Sequence, residues 1–425
     1  MIRSIKGIKD ILPSHARKWQ TLEARAHEFA HRFGYLEIRI PIFEQTELFS
    51  RSIGDSTDIV EKEMYTFPDR DGTSLTLRPE GTAGVVRAFL ENSLANQFTS
   101  RKLYYIGPMF RHERPQAGRF RQFQQFGVEA FGSDDPLMDV EVISLLWQYF
   151  SSLGLQGLTL HINSIGTPDD RRAYVGHLQD FLLPHVDQLC GNCQRRLTTN
   201  PLRILDCKVP HCRILTDKAP VLTDYLAPSS ASHFREVLNH LTLLKIPHII
   251  DHRLVRGLDY YSMTTFEVTS PSLGAQNTIG AGGRYDSLVE ILGGPPTPAI
   301  GFAIGLDRVA ILLPDTAMSA PNPLVFVAAF GKAARKESVK LLQDIRSAGL
   351  TADTDYRAST LKTLLRSADR LSASVTVILG DSEAEKGTAI LRDMRTKKQE
   401  EIPLPSVVQT LFSWINRPGL PHQNS

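Results

Sequence analysis

The chain has 425 residues, more than one hydrophobic core usually serves, so we expect two or three domains. Its 42% hydrophobic and 22% charged residues are typical of an ordinary soluble globular protein. A net charge of +2 does not require a nucleic-acid partner, although a local basic face is compatible with it. No run has the length and apolarity of a signal peptide or a membrane span, which predicts a cytoplasmic enzyme without membrane contacts.

The first 158 residues predict alternating helices and strands. Apolar residues at helical spacing predict a helix over residues 17–33 that ends at Gly34, and "YLEIRI" predicts a short strand after it. The stretch "SLTLRPEGTAGVVRAFLEN" predicts a strand, a turn and a helix capped by the Thr82 side chain. Two strands joined by a polar, positively charged loop and then a further helix complete this half, over residues 102–111, 121–131 and 136–153.

The remaining sequence predicts an insertion, a return to the core and a separate domain. Residues 159–253 are rich in helical patterns and carry all four cysteines, so we interpret them as a helix-rich insertion between the core segments 1–158 and 254–316. The segment "PDTAMSAPNP" is a linker by its Pro, Ser and Ala content. Beyond it, strands and helices alternate, as in "LVFVAAF" and "KESVKLLQDIRSAG", which predicts a small α/β domain over residues 322–425.

Polar residues alternate with apolar ones along the predicted strand "RQFQQFGVEAF". The strand period of two places Gln125, Gly127 and Glu129 on one face, while the residues between them are apolar. An amide and a carboxylate on either side of a residue without a side chain could form the base of a pocket for a small cationic or hydrogen-bonding ligand. A half-exposed antiparallel strand facing water would show the same pattern, so both interpretations stay open at this point.

Two arginine-containing stretches point to an anionic ligand. The helix predicted after Gly305 holds Arg308 in its first turn, where the helix macrodipole disfavours a cation unless an anion offsets it; a surface arginine is the alternative. Planar guanidinium forks suit phosphate, although a solvated basic loop would have the same composition. Such arginines are concentrated in the loop between the two central strands, at Arg111, Arg114, Arg119 and Arg121. The sequence contains neither a P-loop nor a Rossmann motif.

The four cysteines form two close pairs in the predicted insertion. Their spacing is C-x2-C-x13-C-x4-C, at Cys190, Cys193, Cys207 and Cys212. Two such pairs across a short loop are similar to a structural zinc knuckle, although the second spacing is looser than the usual x2. The alternative is a set of four reduced thiols, two of them in the core of the insertion.

Six stretches follow one another along the chain: "GYLEIRIPIFE" (34–44), "LRPEGT" (77–82), "FRHERPQAGRFRQFQQFGVEAFG" (110–132), "RGLDYY" (256–261), "GGRYD" (282–286) and "GFAIGLDR" (301–308). In this order they resemble the histidyl-tRNA synthetases, a family of class II aminoacyl-tRNA synthetases. The resemblance covers nearly the whole chain, and "RGLDYY" together with the arginine-rich stretch is highly specific to this family.

The resemblance implies an α+β fold, with a class II synthetase antiparallel sheet flanked by helices and a C-terminal α/β domain similar to the family's anticodon-binding module. It implies a homodimer formed around Pro41. It also implies an enzyme that uses ATP and Mg²⁺ to convert L-histidine to histidyl-adenylate and pyrophosphate, and then transfers histidine to the 3′ end of tRNA(His).

The alternative is a catalytically inactive relative of the synthetase, the regulatory subunit that partners an ATP phosphoribosyltransferase. Such subunits resemble the synthetase but lack the anticodon-binding domain and lose catalytic arginines. Here residues 322–416 supply that domain, and Arg111, Arg256 and Arg308 are all present. The sequence therefore favours the synthetase.

The resemblance further implies a role for each site residue. Arg111 would hold the ATP α-phosphate, with Arg119 and Arg308 as the other ATP-binding arginines. Arg256 would be the second catalytic residue and would also contact histidine. The two imidazole nitrogens would bond to Glu129 and Tyr261. The remaining histidine-binding residues, around the α-ammonium, the carboxylate and the pocket wall, are Glu80, Gly81, Thr82, Gln125, Tyr260 and Tyr285.

The stretch "RGLDYY" raises a question of side-chain direction, because it is predicted to enter a strand at Asp259. Period two would then send Tyr260 and Tyr261 to opposite faces, so that only Tyr261 points at the imidazole and Tyr260 packs behind the strand. Gly257 would let the backbone turn so that Arg256 reaches the reacting carboxylate and the α-phosphate.

Overall fold

The computed structural model describes residues 2–54, 57–94, 101–116, 118–274, 277–314 and 323–415. The chain divides into two compact units, Met1–Met318 and Ser319–Ser425. The predicted linker "PDTAMSAPNP" falls at this division, and its residues 315–322 lie outside the described residues. Within the described ranges, no helix has both the length and the apolar character needed to cross a bilayer.

The described part of the first unit is built on an eight-stranded sheet. Its five inner strand pairs are antiparallel and its two edge pairs are parallel, which confirms the predicted α+β class. From one edge to the other the strands are β1 (Leu36–Glu37), β5 (Lys102–Phe110), β6 (Gln122–Phe131), β11 (Ala299–Gly305), β10 (Thr278–Arg284), β9 (Ser262–Thr269), β7 (Thr159–Ser164) and β8 (His248–Ile250).

Three long helices contribute to the main hydrophobic core of this unit. The helices Pro13–Arg32, Pro136–Ser152 and Pro228–Leu243 share that core with Phe126 and Val128 of β6, both fully buried. Each helix begins with a proline, whose fixed φ and missing N–H suit the first helical position. Because apolar packing fixes one face of β6, the opposite face of the same strand is left for its polar residues.

Shorter elements complete the core of the first unit. A three-stranded antiparallel sheet has the order β2 (Phe43–Gln45), β4 (Ser74–Leu77) and β3 (Tyr65–Pro68). The short helices are Thr46–Ile53, Thr82–Glu91, Leu288–Ile291 and Leu306–Leu312, with a π-helical turn at Ile59–Glu63 and a 3-10 turn at Pro271–Leu273. The strand predicted over "YLEIRI" is shorter than expected. Only Leu36–Glu37 pair with β5 before the chain leaves the sheet at residues 38–41.

The predicted insertion begins and ends with strands of the large sheet. Thr159–Ser164 pairs with β9, and His248–Ile250 pairs with Thr159–Ser164. The boundaries 159 and 253 therefore enclose two strands of the core. The helices between them are Pro168–Leu182, Gly191–Thr199, Pro210–Thr216 and Pro228–Leu243, with 3-10 turns at Leu183–Gln188, Pro201–Ile204 and Leu222–Tyr225.

A buried ion pair joins β10 to the core helix Pro136–Ser152. Arg284, which is 1% exposed, places its Nη2 2.6 Å from Oδ2 of the fully buried Asp139. Nη1 of the same guanidinium donates to the Ser133 carbonyl at 2.9 Å. Removing one partner of such a pair typically costs about 3–5 kcal/mol, because a buried charge is left uncompensated. The pair thereby fixes the backbone next to Tyr285.

The second unit is the predicted α/β domain. Its sheet is parallel across the first three strands and antiparallel across the last two pairs. In spatial order the strands are β13 (Thr351–Asp353), β12 (Leu324–Ala329), β14 (Val375–Leu379), β15 (Thr388–Asp393) and β16 (Gln399–Pro403). The helices are Lys332–Ser347, Leu361–Arg370, Asp381–Lys386 and Val407–Ile415, with a 3-10 turn at Leu404–Ser406.

Candidate active site

A cavity of ≈ 190 Å³ lies over the polar face of β6. It is lined by residues from four strands of the large sheet and from the loops beside them. Gly81 is the predicted site residue that does not line it. The structure brings the others together: Glu80, Thr82, Arg111, Arg119, Gln125, Glu129, Arg256, Tyr260, Tyr261, Tyr285 and Arg308.

The floor of the cavity is the predicted polar face of β6. Gln125 and Glu129 both line the cavity and are both buried, so the water-facing interpretation of this strand is wrong. The Gln125 side-chain oxygen is buried without a hydrogen-bond partner among the described residues. Between them, a methyl group on Gly127 would lie 2.3 Å from Cζ of Tyr105. Gly127 therefore leaves room for an aromatic ring.

The same ring explains Gly81. A methyl group on Gly81 would also lie 2.3 Å from Cζ of Tyr105. Real Cβ atoms do not approach that closely, so the ring of Tyr105 occupies the space that both glycines leave free. Gly81 thus shapes the wall of the cavity through Tyr105, and it does so without lining it.

Glu129 is a buried acid on the floor of the cavity. Its Oε1 accepts a hydrogen bond from the Thr82 hydroxyl at 2.7 Å, and its Oε2 accepts one from the Tyr285 hydroxyl. Burial raises the pKa of Glu129 from its ordinary 4.5 to about 8, although both hydrogen bonds lower it. This carboxyl is therefore mostly protonated near neutral pH in the free protein, and a bound cation or N–H donor would favour its ionised form.

Glu80 caps the helix Thr82–Glu91, which was predicted to be capped by Thr82. Its carboxylate accepts hydrogen bonds from the backbone N–H groups of Thr82 and Ala83, at 2.7 and 2.9 Å. The helix begins at Thr82 itself, so the Thr82 hydroxyl is one residue too late to cap it and donates to Glu129. The prediction of a Thr82 cap is therefore wrong, and the helix start becomes part of the cavity wall.

Tyr260 and Tyr261 lie on the same cavity, contrary to the prediction from strand alternation. Both are buried and both line it, and their ring centroids are 4.9 Å apart. The ring of Tyr285 is 5.7 Å from that of Tyr260. Alternation fails because β9 begins only at Ser262, and Met263 then has a φ of 50°, outside the strand region.

Arg256 lies at the edge of this aromatic wall. Its Nη1 is 3.2 Å from Oε2 of Glu267 on β9, and its guanidinium is 5.9 Å from the ring centroid of Tyr261. The chain bends at the neighbouring Gly257, as predicted, although this glycine does not have a positive φ. A methyl group there would lie 2.8 Å from Nη1 of Arg203, so Gly257 allows the insertion to approach closely.

Three arginines meet at the other end of the cavity. Arg119 pairs with Glu113 at 2.5 Å, and Arg111 donates from Nε to the Pro79 carbonyl at 2.8 Å. Arg308 donates to the Gly118 carbonyl at 3.0 Å. Burial and the nearby Arg119 lower the pKa of Arg308, because desolvation and like charge both disfavour its cation. An anion bound here would relieve both effects.

Three cavity-lining residues with ionisable side chains were not predicted from the sequence: Tyr105, Glu113 and Asp307. Tyr105 lies in a stretch that is otherwise apolar, so it could not be distinguished from a core aromatic residue. Glu113 stands among the arginines of a loop that was interpreted by its positive charge. Asp307 accepts a hydrogen bond from the Gln124 backbone at 2.7 Å, and burial raises its pKa to about 6. Its position next to Arg308 in the sequence was the signal that could have identified it as a cavity residue.

The four cysteines form one cluster. Their Sγ atoms all lie within 4.8 Å of one another, and Sγ of Cys190 is 3.9 Å from Sγ of Cys207. The Cys190 backbone N–H donates to Sγ of Cys212 at 3.1 Å. Thiolates bound to one tetrahedral Zn²⁺ at about 2.3 Å are about 3.8 Å apart. The cluster therefore fits this metal with small adjustments.

An antiparallel sheet whose polar face carries a pocket, with arginines at one end and a separate α/β unit, has the architecture of a class II aminoacyl-tRNA synthetase. The family model described as "Histidyl-tRNA synthetase" matches residues 7–309, and the "Anticodon binding domain" model matches residues 324–414. The chain belongs to the histidyl-tRNA synthetase family, as the resemblance of its motifs predicted.

Individual relatives agree with this membership. A histidine–tRNA ligase of Desulforamulus reducens is 48% identical over 406 residues, which cover 95% of this chain and 97% of the relative. One of Pelotomaculum thermopropionicum is 49% identical over 409 residues, 96% of each chain. The crystal structure of apo S. aureus histidyl-tRNA synthetase is 38% identical, has a TM-score of 0.82, and is matched over 96% of this chain and 99% of that one.

Proposed function

We propose that the protein activates L-histidine with ATP, giving histidyl-adenylate and pyrophosphate, and then transfers histidine to the 3′ end of tRNA(His). The observation that carries this proposal is the pairing of two unlike ends in one cavity. One end holds a buried carboxyl among hydroxyl groups and aromatic rings, and the other holds a desolvated group of arginines. The first suits a small ligand with N–H donors, and the second suits phosphates.

Histidine binds over the floor of the cavity. Glu129 and Tyr261 hydrogen-bond the two imidazole nitrogens, with Tyr260 and Tyr285 beside them in the wall. The unpartnered side-chain oxygen of Gln125 is available to accept from the α-ammonium. The other contacts to the ammonium and carboxylate come from Glu80, the Gly81 backbone and Thr82. A site with this many buried polar groups rejects apolar amino acids by ~10⁴ or more, because those groups would be left unpaired.

ATP binds toward the arginines. Arg111 holds the α-phosphate, and Arg119 and Arg308 hold the rest of the triphosphate. In the first step a carboxylate oxygen of histidine attacks the α-phosphorus, a new P–O bond forms, and the bond to the bridging oxygen breaks to release pyrophosphate. No protein nucleophile is needed, because the protein positions the two substrates and stabilises the developing charge. Arg256, next to the histidine wall, stabilises the reacting carboxylate and the α-phosphate.

The nucleotide phosphates and a carboxylate of the cavity would hold Mg²⁺. Hard cations of this kind take oxygen ligands from phosphates and one or two carboxylates, and the carboxylate of Glu113 lines the cavity among the phosphate-binding arginines. When bound, Mg²⁺ neutralises part of the charge of the triphosphate. Zn²⁺ is a second, structural metal, held by the four clustered cysteines far along the chain from the nucleotide residues.

The transfer step takes place at the same cavity in the cytoplasm. A ribose hydroxyl of the terminal adenosine attacks the carbonyl carbon of the adenylate, and AMP leaves. The loop from Arg114 to Arg121 meets the acceptor end through phosphates and base edges, and the second unit binds the anticodon. A regulatory subunit without catalysis is disfavoured, because Arg111, Arg256 and Arg308 all line the cavity and residues 324–414 match the anticodon-binding model.

Histidine-dependent exchange of labelled pyrophosphate into ATP tests the activation step. We expect exchange with the wild-type protein, and a loss of at least about tenfold in the Arg308→Ala variant, because a charged contact to phosphate contributes about 1.5–3 kcal/mol. The matched control is Arg172→Ala, an exposed arginine paired with Asp169 on the insertion. Wild-type protein that supports no exchange with any amino acid would refute the proposed function.

The protein forms a homodimer through the segment around Pro41. In support of this, Ile42 and Phe43 are exposed apolar residues next to that proline, and Phe67 packs edge-on against Phe43 at 6.4 Å between centroids. We expect a mass of two chains in sedimentation equilibrium at micromolar concentration, and a shift toward one chain for Phe43→Asp. The control is Ile214→Asp, an exposed apolar position on the insertion. A wild-type mass of one chain would contradict the dimer.

A further inference from the structure

The four-cysteine cluster closes a short segment of the insertion at both of its ends. The helix Gly191–Thr199 and the turn Pro201–Ile204 lie between Cys190 and Cys207, whose sulfur atoms are 3.9 Å apart. Residues 191–206 therefore leave the cluster and return to it. Leu197 and Ile204 pack this closed segment into a larger buried apolar cluster of the unit, in which Cys193 and Cys212 are also buried.

The far end of the closed segment touches the loop that carries Arg256. Nδ2 of Asn200 donates to Oδ1 of Asp259 at 3.0 Å. The guanidinium of Arg203 lies so close to Gly257 that a methyl group there would be 2.8 Å from Nη1. Both partners belong to "RGLDYY", so the metal-site segment and the catalytic loop are in direct contact.

The same loop is held on its other side by the core of the unit. The Asp259 backbone N–H donates to the Ile53 carbonyl at 3.1 Å, and a methyl group on Gly54 would lie 2.4 Å from Oδ2 of Asp259. The loop itself forms neither a helix nor a strand between residues 256 and 261. Its position is therefore set by contacts with neighbouring parts of the unit. These include the helix Thr46–Ile53, the cysteine-closed segment and Arg171, whose Nη1 donates to the Tyr261 carbonyl at 2.7 Å.

Ion pairs tie the closed segment to the core but do not fix it firmly. Arg196 pairs with Asp58 at 3.4 Å and Arg195 with Glu61 at 3.7 Å, and both acids are about a third exposed or more. Exposed pairs of this kind contribute little to stability, because water and salt screen them. The sulfur cluster is a much stronger constraint when it binds a metal, because the binding free energy of a structural Zn²⁺ adds to the folding free energy of its site.

We infer that Zn²⁺ bound by Cys190, Cys193, Cys207 and Cys212 positions the Arg256 loop, through the contacts of Asn200 with Asp259 and of Arg203 with Gly257. Asn200 and Arg203 are positioning residues, since neither lines the active-site cavity. Loss of the metal releases the ends of the segment, and its far end no longer confines the loop. A displacement of about 1 Å in a catalytic group can lower a rate by ~10²-fold. The catalytic consequence rests on the proposed role of Arg256.

Metal analysis tests the site without reference to activity. Protein purified without chelator, from medium supplemented with zinc, should contain about one equivalent of Zn²⁺ per chain. The Cys190→Ser/Cys207→Ser variant should contain almost none, while Arg203→Ala and the control Arg172→Ala should keep the wild-type amount. Less than about half an equivalent in the wild-type protein would overturn the metal site.

Hydrogen–deuterium exchange of the peptide covering residues 255–262 tests the positioning contact. Exchange in this peptide should be faster in the zinc-depleted protein and in zinc-loaded Arg203→Ala and Asn200→Ala than in the zinc-loaded wild type. Arg172→Ala should match the wild type. Equal exchange in the zinc-loaded and zinc-depleted wild-type proteins would overturn the inference, and so would wild-type exchange in both zinc-loaded positioning variants.

The catalytic consequence has its own measurement. The single-turnover rate of adenylate formation should fall about tenfold or more in zinc-loaded Arg203→Ala, with the KM for histidine nearly unchanged, and Arg203→Lys should recover part of the loss. A general loss of stability would instead lower the amount of active protein. The single-turnover rate constant of the remaining active protein would then be unchanged. If the wild-type protein forms no adenylate, the proposed function fails, while metal content and deuterium exchange still decide the inference.

Discussion

The Arg256→His variant is expected to form adenylate about 10²–10³ times more slowly than the wild type, with the KM for histidine changed only a few-fold. The guanidinium stands at the edge of the histidine wall, and its Nε has no hydrogen-bond partner among the described residues. It is thus available for charge that develops during attack on the α-phosphorus. Rapid-quench measurement of a single turnover separates this rate from product release.

A neighbouring arginine provides the control for this substitution. Arg253 is three residues earlier and pairs with Asp217 of the insertion at 2.5 Å, away from the cavity. Arg253→Ala should therefore keep a rate close to that of the wild type. An Arg256→His variant with an unchanged single-turnover rate would remove the catalytic assignment, and one with a normal rate but a much higher KM would make Arg256 a binding residue only.

The Glu129→Gln variant is expected to lose histidine affinity and to gain stability at alkaline pH. The neutral amide cannot supply the charge-assisted hydrogen bond to the imidazole, so the KM for histidine should rise roughly 10- to 100-fold. The same change removes a buried acid whose ionisation is unfavourable in the free protein. Steady-state pyrophosphate exchange measures the first effect, and thermal unfolding between pH 5 and pH 9 measures the second.

The direction of the pH effect follows from the raised pKa of Glu129. The unfolded chain releases this proton near pH 4.5, whereas the folded chain holds it until about pH 8. The folded state therefore binds more protons between these values, and the free energy of unfolding of the wild type falls as the pH rises through this range. The Tm difference between Glu129→Gln and the wild type should grow up to about pH 8 and then stay constant.

An exposed glutamate serves as the control for this experiment. Glu236→Gln, on the helix Pro228–Leu243, should show neither the change in KM nor the pH-dependent difference in Tm. A Glu129→Gln variant whose stability follows the wild type at every pH would show that Glu129 is ionised in the free protein. The carboxylate would then be compensated by groups other than Thr82 and Tyr285.

Local sequence patterns predicted the structure correctly where one local rule determines the direction of the side chains. Period two along β6 correctly placed Gln125 and Glu129 on a common face, because both neighbours of this strand are regular antiparallel strands. The helix after Gly305 also begins where it was predicted, with Arg308 in its first turn. In both cases the pattern of a few adjacent residues is sufficient to fix the direction of the side chains.

Local sequence patterns gave wrong predictions where the geometry depends on distant parts of the chain. Tyr260 and Tyr261 share a cavity because the strand begins at Ser262, three residues later than its composition suggests. Gly257 matters through Arg203, which is more than fifty residues away and belongs to another part of the unit. The contribution of Glu80 to the helix start could not be separated from that of Thr82, since either oxygen-bearing side chain is a plausible cap. Such contacts have no signature in local spacing.

The ring of Tyr105 lies in the space that Gly81 and Gly127 leave free, so these three positions share a single volume although they come from two strands and the bend before a helix. A mutation that adds a methyl group at either glycine is harmful while the tyrosine remains, and a smaller residue in place of the tyrosine opens a void while both glycines remain. A larger residue at either glycine is tolerated only after the tyrosine has become smaller, and a smaller residue at the tyrosine only after a glycine has become larger. Descendants of this chain can therefore reshape the base of the histidine pocket only by passing through impaired intermediates, which makes this corner of the molecule slow to diverge.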